Sequence, residues 1–228
     1  FSAELDNQLT TGLVAAGAFG KSPFSSSDLV LEGGSFESDG EGTLLTTSAC
    51  LLEKNRNPLL TPQELEIELK RLFGMEQILW LDKGALQGDD TDCHIDTLAR
   101  FAPNTTIVFQ GCPDTTDEHF HVLHTMQDQL ATFANTSGKS YRLCELPWPQ
   151  ACYDQGRNRL PATYANFLAI NGAVLVPTYN DPADPIALNV IAQAFPQREI
   201  IPINCSTLIE QHGSLHCVTM QLPKGVLP

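Results

Sequence analysis

Positive charge is scarce in this sequence: 13 Lys and Arg stand against 27 Asp and Glu, for a net charge of −14. Phosphate binding needs clustered basic side chains, so no nucleic acid is expected as a partner. A cationic substrate, in contrast, would be drawn in by the negative potential. Long apolar runs are missing too. The longest, Leu13 to Phe19, contains Gly17 and falls far short of the ~18–20 residues of a spanning helix, so no membrane is expected either. No C-x-x-C pair occurs. The seven cysteines, Cys50, Cys93, Cys112, Cys144, Cys152, Cys205 and Cys217, are odd in number and irregularly spaced, which argues against a disulfide framework or a zinc site and predicts reduced thiols in a cytoplasmic protein. No Ser/Gly linker or charge block divides the 228 residues, 42% of them hydrophobic, so one domain over 1–228 is expected. The chain opens on Phe1 with no charged-then-apolar leader, as expected of a processed start or of a fragment.

What is present is a repeat. Residues 1–20 read as a helix ending near Gly17 or Gly20, followed by a polar loop, Ser22 to Ser27. Asp28 to Glu32 and Thr43 to Thr47 then read as strands separated by glycine-rich turns. Thr61-Pro62 offers an N-cap and a proline at the first helical position, Leu65, Leu69, Leu72 and Phe73 share one helical face, and Gly74 ends the helix. Gln77 to Leu81 reads as a third strand, giving the order ββαβ. The same order returns with strands His94 to Phe101 and Thr105 to Gln110, a helix over Asp117 to Asn135 and a strand over Ser140 to Leu146. It returns again with Tyr164 to Ile170, Ala173 to Tyr179, a helix from Asp184 through Phe195 and a strand over Glu199 to Ile203. Gly213 to Met220 reads as the first strand of a fourth unit. One supersecondary unit at a spacing of about 53 to 70 residues predicts a ring or an array.

The first strand of each unit carries polar residues that a core strand would avoid: Glu32, then His94 and Asp96, then Tyr164 and Asn166, then Cys217. In a ring these equivalent strands face a common axis. His94 and Asp96, two apart, share a face, and Cys93 lies on the opposite one. His216 faces away from Cys217 by the same alternation, so a base for Cys217 must come from elsewhere. A nucleophile, a base, an orienter and a further carboxylate converge, and the extra carboxylate points to a guanidinium in the substrate. His119, His121 and His124 lack metal-ligand spacing and read as a solvated helix surface. No metal and no cofactor is predicted.

The motifs Leu31-Glu32-Gly33-Gly34-Ser35, Asp39 to Thr47, Asn55-Arg56-Asn57-Pro58, Thr91-Asp92-Cys93-His94-Ile95-Asp96, Tyr164-Ala165-Asn166-Phe167 and Leu215-His216-Cys217-Val218-Thr219 resemble, in order and at compatible spacing, those of the agmatine deiminase and bacterial peptidyl-arginine deiminase family. The resemblance runs from about residue 28 to the end. It implies an α/β fold, the pentein-type propeller of ββαβ units. Here the propeller would be incomplete, three units plus one strand, without the family's N-terminal part and its Arg-Asp-x-Gly-Pro motif. It also implies that Cys217 is the nucleophile, His94 the general acid/base, Glu32 its carboxylate partner and Asp96 a guanidinium ligand, with Asn166 joining Asp96 in substrate binding. The implied reaction converts agmatine to N-carbamoylputrescine and ammonia by covalent cysteine catalysis. Peptidyl-arginine or another arginine derivative is the alternative substrate, and Gln211-His212-Gly213 resembles the peptidyl-arginine branch more closely. A non-catalytic propeller fragment is the other class of reading. The only partner implied is a small cationic guanidine, and open strand edges leave a homo-oligomer open.

Overall fold

The computed structural model describes residues 4–227, which gather into two compact units, 4–29 with 220–227, and Val30–Thr219. In the smaller unit α1 spans Asp6–Ala15 and none of its residues is buried. Gly17 and Gly20 follow it with φ of 76° and 58°, a left-handed backbone that glycine adopts without a Cβ clash. Ser22 Oγ donates to the Val226 carbonyl at 3.1 Å.

The larger unit contains three sheets of one design, and every candidate site residue lies in it. In the first, β1 (Phe36–Ser38) pairs antiparallel with β2 (Thr43–Thr47), a short helix α2 (Ser48–Leu51) and the longer α3 (Pro62–Phe73) follow, and β3 (Gln77–Leu81) returns parallel to β2. The second repeats this with β4 (Ala99–Ala102), β5 (Thr106–Gln110), α4 (Phe120–Leu130) and β6 (Arg142–Leu146). The third uses β7 (Leu168–Ile170), β8 (Ala173–Thr178), α5 (Asp184–Ala194) and β9 (Glu199–Asn204).

Local chemistry explains the boundaries. Thr61 caps α3 through a full capping box with Glu64, and Gly74 closes it at φ 66°. The buried side chains of α3, Leu65 and Leu69, are 1% and 0% exposed and each stabilises the unit by roughly 1.5–3 kcal/mol. Helix α4 is shorter than the expected Asp117 to Asn135, because turns at both ends use up the flanking residues. Gln129 of α4 ties its amide to the Trp80 carbonyl and the Asp82 N–H at the end of β3, and α5 packs against β5 and β6. Helices α4 and α5 therefore each reach the sheet of the preceding unit. Among the described residues no helix is long and apolar enough to cross a membrane.

Four segments read as strands are not strands. Residues 28–32 pair with no strand, the Val30 backbone bonding instead to the Asn57 side chain, and a 3-10 turn over Gly33–Ser35 follows. Residues 94–98 form a 3-10 turn, Ile95–Thr97, before β4 begins at Ala99. Tyr164 to Phe167 is irregular before β7. The fourth-unit strand is absent: residues 208–219 hold two 3-10 turns, Leu208–Gln211 and His216–Val218. The polar residues do sit just before the first strand of each sheet, but on lead-in turns whose side chains need not alternate.

Candidate active site

Glu32 is fixed first. Arg56, with a side chain only 6% exposed, donates from Nε to both Glu32 oxygens at 3.0 and 3.1 Å, from Nη1 to Asp92 Oδ2 at 2.7 Å and from Nη2 to the Thr91 carbonyl at 2.9 Å. Asp89 and Thr91 shape the next turn. Asp89 Oδ2 accepts from the Cys93 N–H and Thr91 Oγ1 from the His94 N–H, which holds Asp92 and Cys93 at φ 61° and 66°. His94 is thereby turned toward Glu32, with Nε2 3.8 Å from Oε1, beyond hydrogen-bond distance. His94 and Arg56 together hold the Glu32 carboxyl down at about 2, against the opposing effect of burial.

Asp96 follows on the 3-10 turn and is 1% exposed. Gly34 makes room for it. A Cβ there would stand 2.7 Å from both Asp96 Oδ2 and His94 Nδ1, so only glycine lets the Glu32 turn close over these two side chains. Asp96 Oδ1 and His94 Nε2 are buried and have no hydrogen-bond partner. Buried polar atoms are nearly always paired, so these two, on neighbouring residues of one turn, are the candidate ligand contacts.

The cysteine arrives on a different principle from the one its neighbours suggested. Because His216–Val218 is a 3-10 turn, His216 does not point away from the site: its Nδ1 lies 2.7 Å from Asp96 Oδ2. Asn166 holds this turn in place. Its Oδ1 accepts from the His216 N–H at 2.8 Å and the Cys217 N–H at 3.4 Å and receives the Cys217 thiol at 3.5 Å, while its Nδ2 donates to the Asp96 carbonyl at 3.4 Å. Asn166 is fully buried, and its polar atoms fasten Asp96 to the His216–Cys217 turn. Asn166 is itself positioned by its neighbours, since Gln110 of β5 accepts from Thr163 Oγ1 and the Tyr164 N–H. The Cys217 residue is exposed, yet the chain packed around its sulfur, and then the Asp96 charge, push its thiol up to about 11.

The other thiols are placed differently. Cys93 packs against the apolar cluster of the second sheet, and burial, then Asp89 and Asp92, push it up to about 11. Cys50, fully buried, lies with Glu32 and His94 in a group whose ligand atoms are within 4.8 Å of one another, but Arg56 already holds both oxygens of that carboxylate. His119 is not on a solvated surface as expected. It is 3% exposed, with Nδ1 2.8 Å from Asp117 and Nε2 accepting the Gln87 N–H. Sequence reasoning missed Arg56 as the clamp on Glu32 and His216 as the partner of Asp96. Arg56 stands 24 residues beyond Glu32, a separation that no local pattern reports, and the assumed strand pleat concealed His216.

Known proteins carry the same arrangement of chain. An agmatine deiminase of Pseudomonas putida is 32% identical over 220 residues, covering 89% of this chain and 60% of its own. A crystal structure of a candidate arginine deiminase from Porphyromonas gingivalis is 52% identical and superposes with a TM-score of 0.94, covering 98% of this chain and 66% of that one. A C. jejuni agmatine deiminase with substrate bound is 42% identical with a TM-score of 0.88, over 95% of this chain and 62% of that one. The chain thus spans about 60% of the length of the curated relatives it matches. With Glu32, then His94 and Asp96, then Cys217 set on three separate segments, and the family match running over residues 1–223, the chain belongs to the Porphyromonas-type peptidyl-arginine deiminase family.

Proposed function

We propose that this chain carries the catalytic residues of a guanidine deiminase whose substrate is agmatine, and that its three ββαβ units are consecutive blades of a longer propeller. The observation that carries the reading is the buried, half-partnered Asp96, with one oxygen committed to His216 and the other buried without a hydrogen-bond partner. A carboxylate oxygen in this state suits a guanidinium N–H, which brings its own positive charge and hydrogen.

The same ion pair answers the chemical difficulty of the site. A thiol near 11 is almost wholly protonated at neutral pH, and the Asp96 charge is one of the causes. A guanidinium on Asp96 cancels that charge beside the sulfur and favours the thiolate. The Cys217 thiol gives its proton to His94, and the thiolate attacks the guanidinium carbon, forming a C–S bond. A C–N bond breaks, and ammonia leaves with a proton from His94. His94 next takes a proton from water, the hydroxide adds to the carbon of the amidino-thioether, and the C–S bond breaks to return the thiolate and release the ureido product. Glu32 stabilises His94 whenever it is charged, and its depressed pKa keeps it ionised for that task. Seven free thiols suit a reducing compartment, and we place the protein in the cytoplasm.

The test is ammonia release from agmatine, free arginine and a peptidyl-arginine substrate. Turnover of agmatine that disappears in Cys217→Ser is expected. Preferential turnover of the peptide would replace agmatine by peptidyl-arginine, and no ammonia from any of the three would overturn the deiminase reading.

A further inference from the structure

His216 and Cys217 are adjacent in the chain, and the structure gives them one fastening and two directions. Both backbone N–H groups point to Asn166 Oδ1. The His216 ring goes to Asp96, Nδ1 to Oδ2 at 2.7 Å, in a pair whose side chains are 11% and 1% exposed. The other ring nitrogen faces Arg100, Nη2 to Nε2 at 3.5 Å. Arg100 is 3% exposed and fixed on three sides, by Glu37 of β1 at 2.9 Å, by the Phe167 carbonyl at 2.6 Å and by the Phe167 ring 5.0 Å from its guanidinium carbon. A guanidinium has only donors, so Nε2 beside Arg100 is the acceptor nitrogen and Nδ1 carries the hydrogen given to Asp96. With one nitrogen facing a fixed cation and the other committed to a carboxylate, His216 is poorly placed to take the Cys217 proton, and a second base next to the nucleophile is not what this histidine supplies.

We propose that His216 is a positioning residue acting through Asp96. By holding Oδ2, it sets the rotation of the carboxylate so that Oδ1 faces the substrate guanidinium. Because it stands in the same turn as Cys217, it fixes the distance between the oxygen that grips the substrate and the sulfur that attacks it. Arg100, anchored between β1 and the segment before β7, keeps the ring in its tautomer and links this register to two other sheets. The inference rests on the deiminase reading above.

The experiment compares His216→Ala and His216→Asn with the unaltered full chain, using agmatine as the probe. The alanine variant keeps the backbone N–H to Asn166, so the cysteine turn remains. The asparagine variant restores a side-chain N–H close to the position of Nδ1. In His216→Ala the KM for agmatine is expected to rise on the order of tenfold or more, the size expected when a charge-assisted hydrogen bond is lost. Alkylation of Cys217 by iodoacetamide without substrate keeps its rate, and the unfolding midpoint stays within a few degrees. His216→Asn recovers most of the affinity. If the unaltered chain turns over agmatine and His216→Ala does so with the same KM, or if Asn rescues no better than Ala, the positioning role is overturned while the deiminase reading stands. If the unaltered chain releases no ammonia from any guanidine, both fall.

Discussion

Gly34 lies so close to Asp96 that a Cβ built on it would stand 2.7 Å from Oδ2, and the same atom would stand 2.7 Å from His94 Nδ1. The glycine is required by the site and not by the backbone, since its φ is not in the left-handed region. Gly34→Ala is therefore expected to push apart His94 and Asp96, the proposed acid/base and guanidinium ligand. Misplacement of reacting groups by about 1 Å costs on the order of 100-fold, so agmatine turnover should fall by that order. The far-ultraviolet circular dichroism spectrum should stay unchanged. Full activity in the alanine variant would show that the turn can shift without consequence.

Arg56 binds two carboxylates, Glu32 and Asp92, each about half-exposed, from a nearly buried position. Removing one partner of a fully buried pair costs about 3–5 kcal/mol, and solvent on the carboxylate side brings the expected loss for Arg56→Ala nearer ~2–3 kcal/mol. Urea unfolding measures it. The pH dependence has a definite sign. The Glu32 pKa falls from an ordinary 4.5 to about 2 in the folded protein, so its contribution is present above about 4.5 and is lost as pH falls toward about 2. Arg56→Ala should flatten the stability profile across that interval; an unaltered profile would mean that the clamp does not set the Glu32 ionisation.

Cys217 and Cys93 should separate cleanly. Cys217→Ser should abolish turnover, whereas Cys93→Ser, with its side chain among the apolar residues of the second sheet, should keep activity within about twofold and lose roughly 1 kcal/mol or less of stability. In the substrate-free protein, Cys217 alkylation should climb steadily through pH 9 and 10, following a thiol near 11. A plateau reached by pH 8 would reveal a thiolate already formed without substrate, and the activation by a bound guanidinium would then be unnecessary.

The sheets were legible because their signals are local. Asn171-Gly172 turns a hairpin with Gly172 at φ 85°, and Thr61, Pro62 and Gly74 bound a crossover helix. The segments that carry the chemistry were misread as strands for a physical reason. Ile95, Leu98, Tyr164, Phe167 and Leu215 are buried, so they show apolar patterning, but their backbone follows side-chain hydrogen bonds from Asp89, Thr91 and Asn166 instead of a neighbouring strand. Strand pleating then assigned faces that do not exist. It kept His94 and Asp96 together for the wrong reason, and, by turning His216 away from Cys217, it gave no hint of the contact with Asp96. Residue identities marked the candidate residues along the chain, while their directions depended on contacts up to 120 residues apart, which no local pattern encodes.

Asn166 offers the most discriminating substitution, because aspartate has nearly its shape. In Asn166→Asp the acceptor oxygen toward the His216 and Cys217 N–H groups survives, and the turn should keep its place. Two things change. The Nδ2 donor to the Asp96 carbonyl, 3.4 Å away, is replaced by a second acceptor, which leaves two oxygens facing each other in a fully buried position. A negative charge also appears beside a sulfur that the Asp96 charge already pushes toward its protonated form. Both effects act against the thiolate, so the pH at which Cys217 alkylates should move up and turnover should drop by about 100-fold or more, since one pKa shift of a unit alone is worth about tenfold. Asn166→Ala, which adds no charge, should instead free the turn and lose activity with no upward movement of the alkylation profile. The contrast between the two profiles isolates charge from geometry. Identical profiles for Asp and Ala would mean that the Asn166 oxygen holds the chain there without governing the ionisation of Cys217.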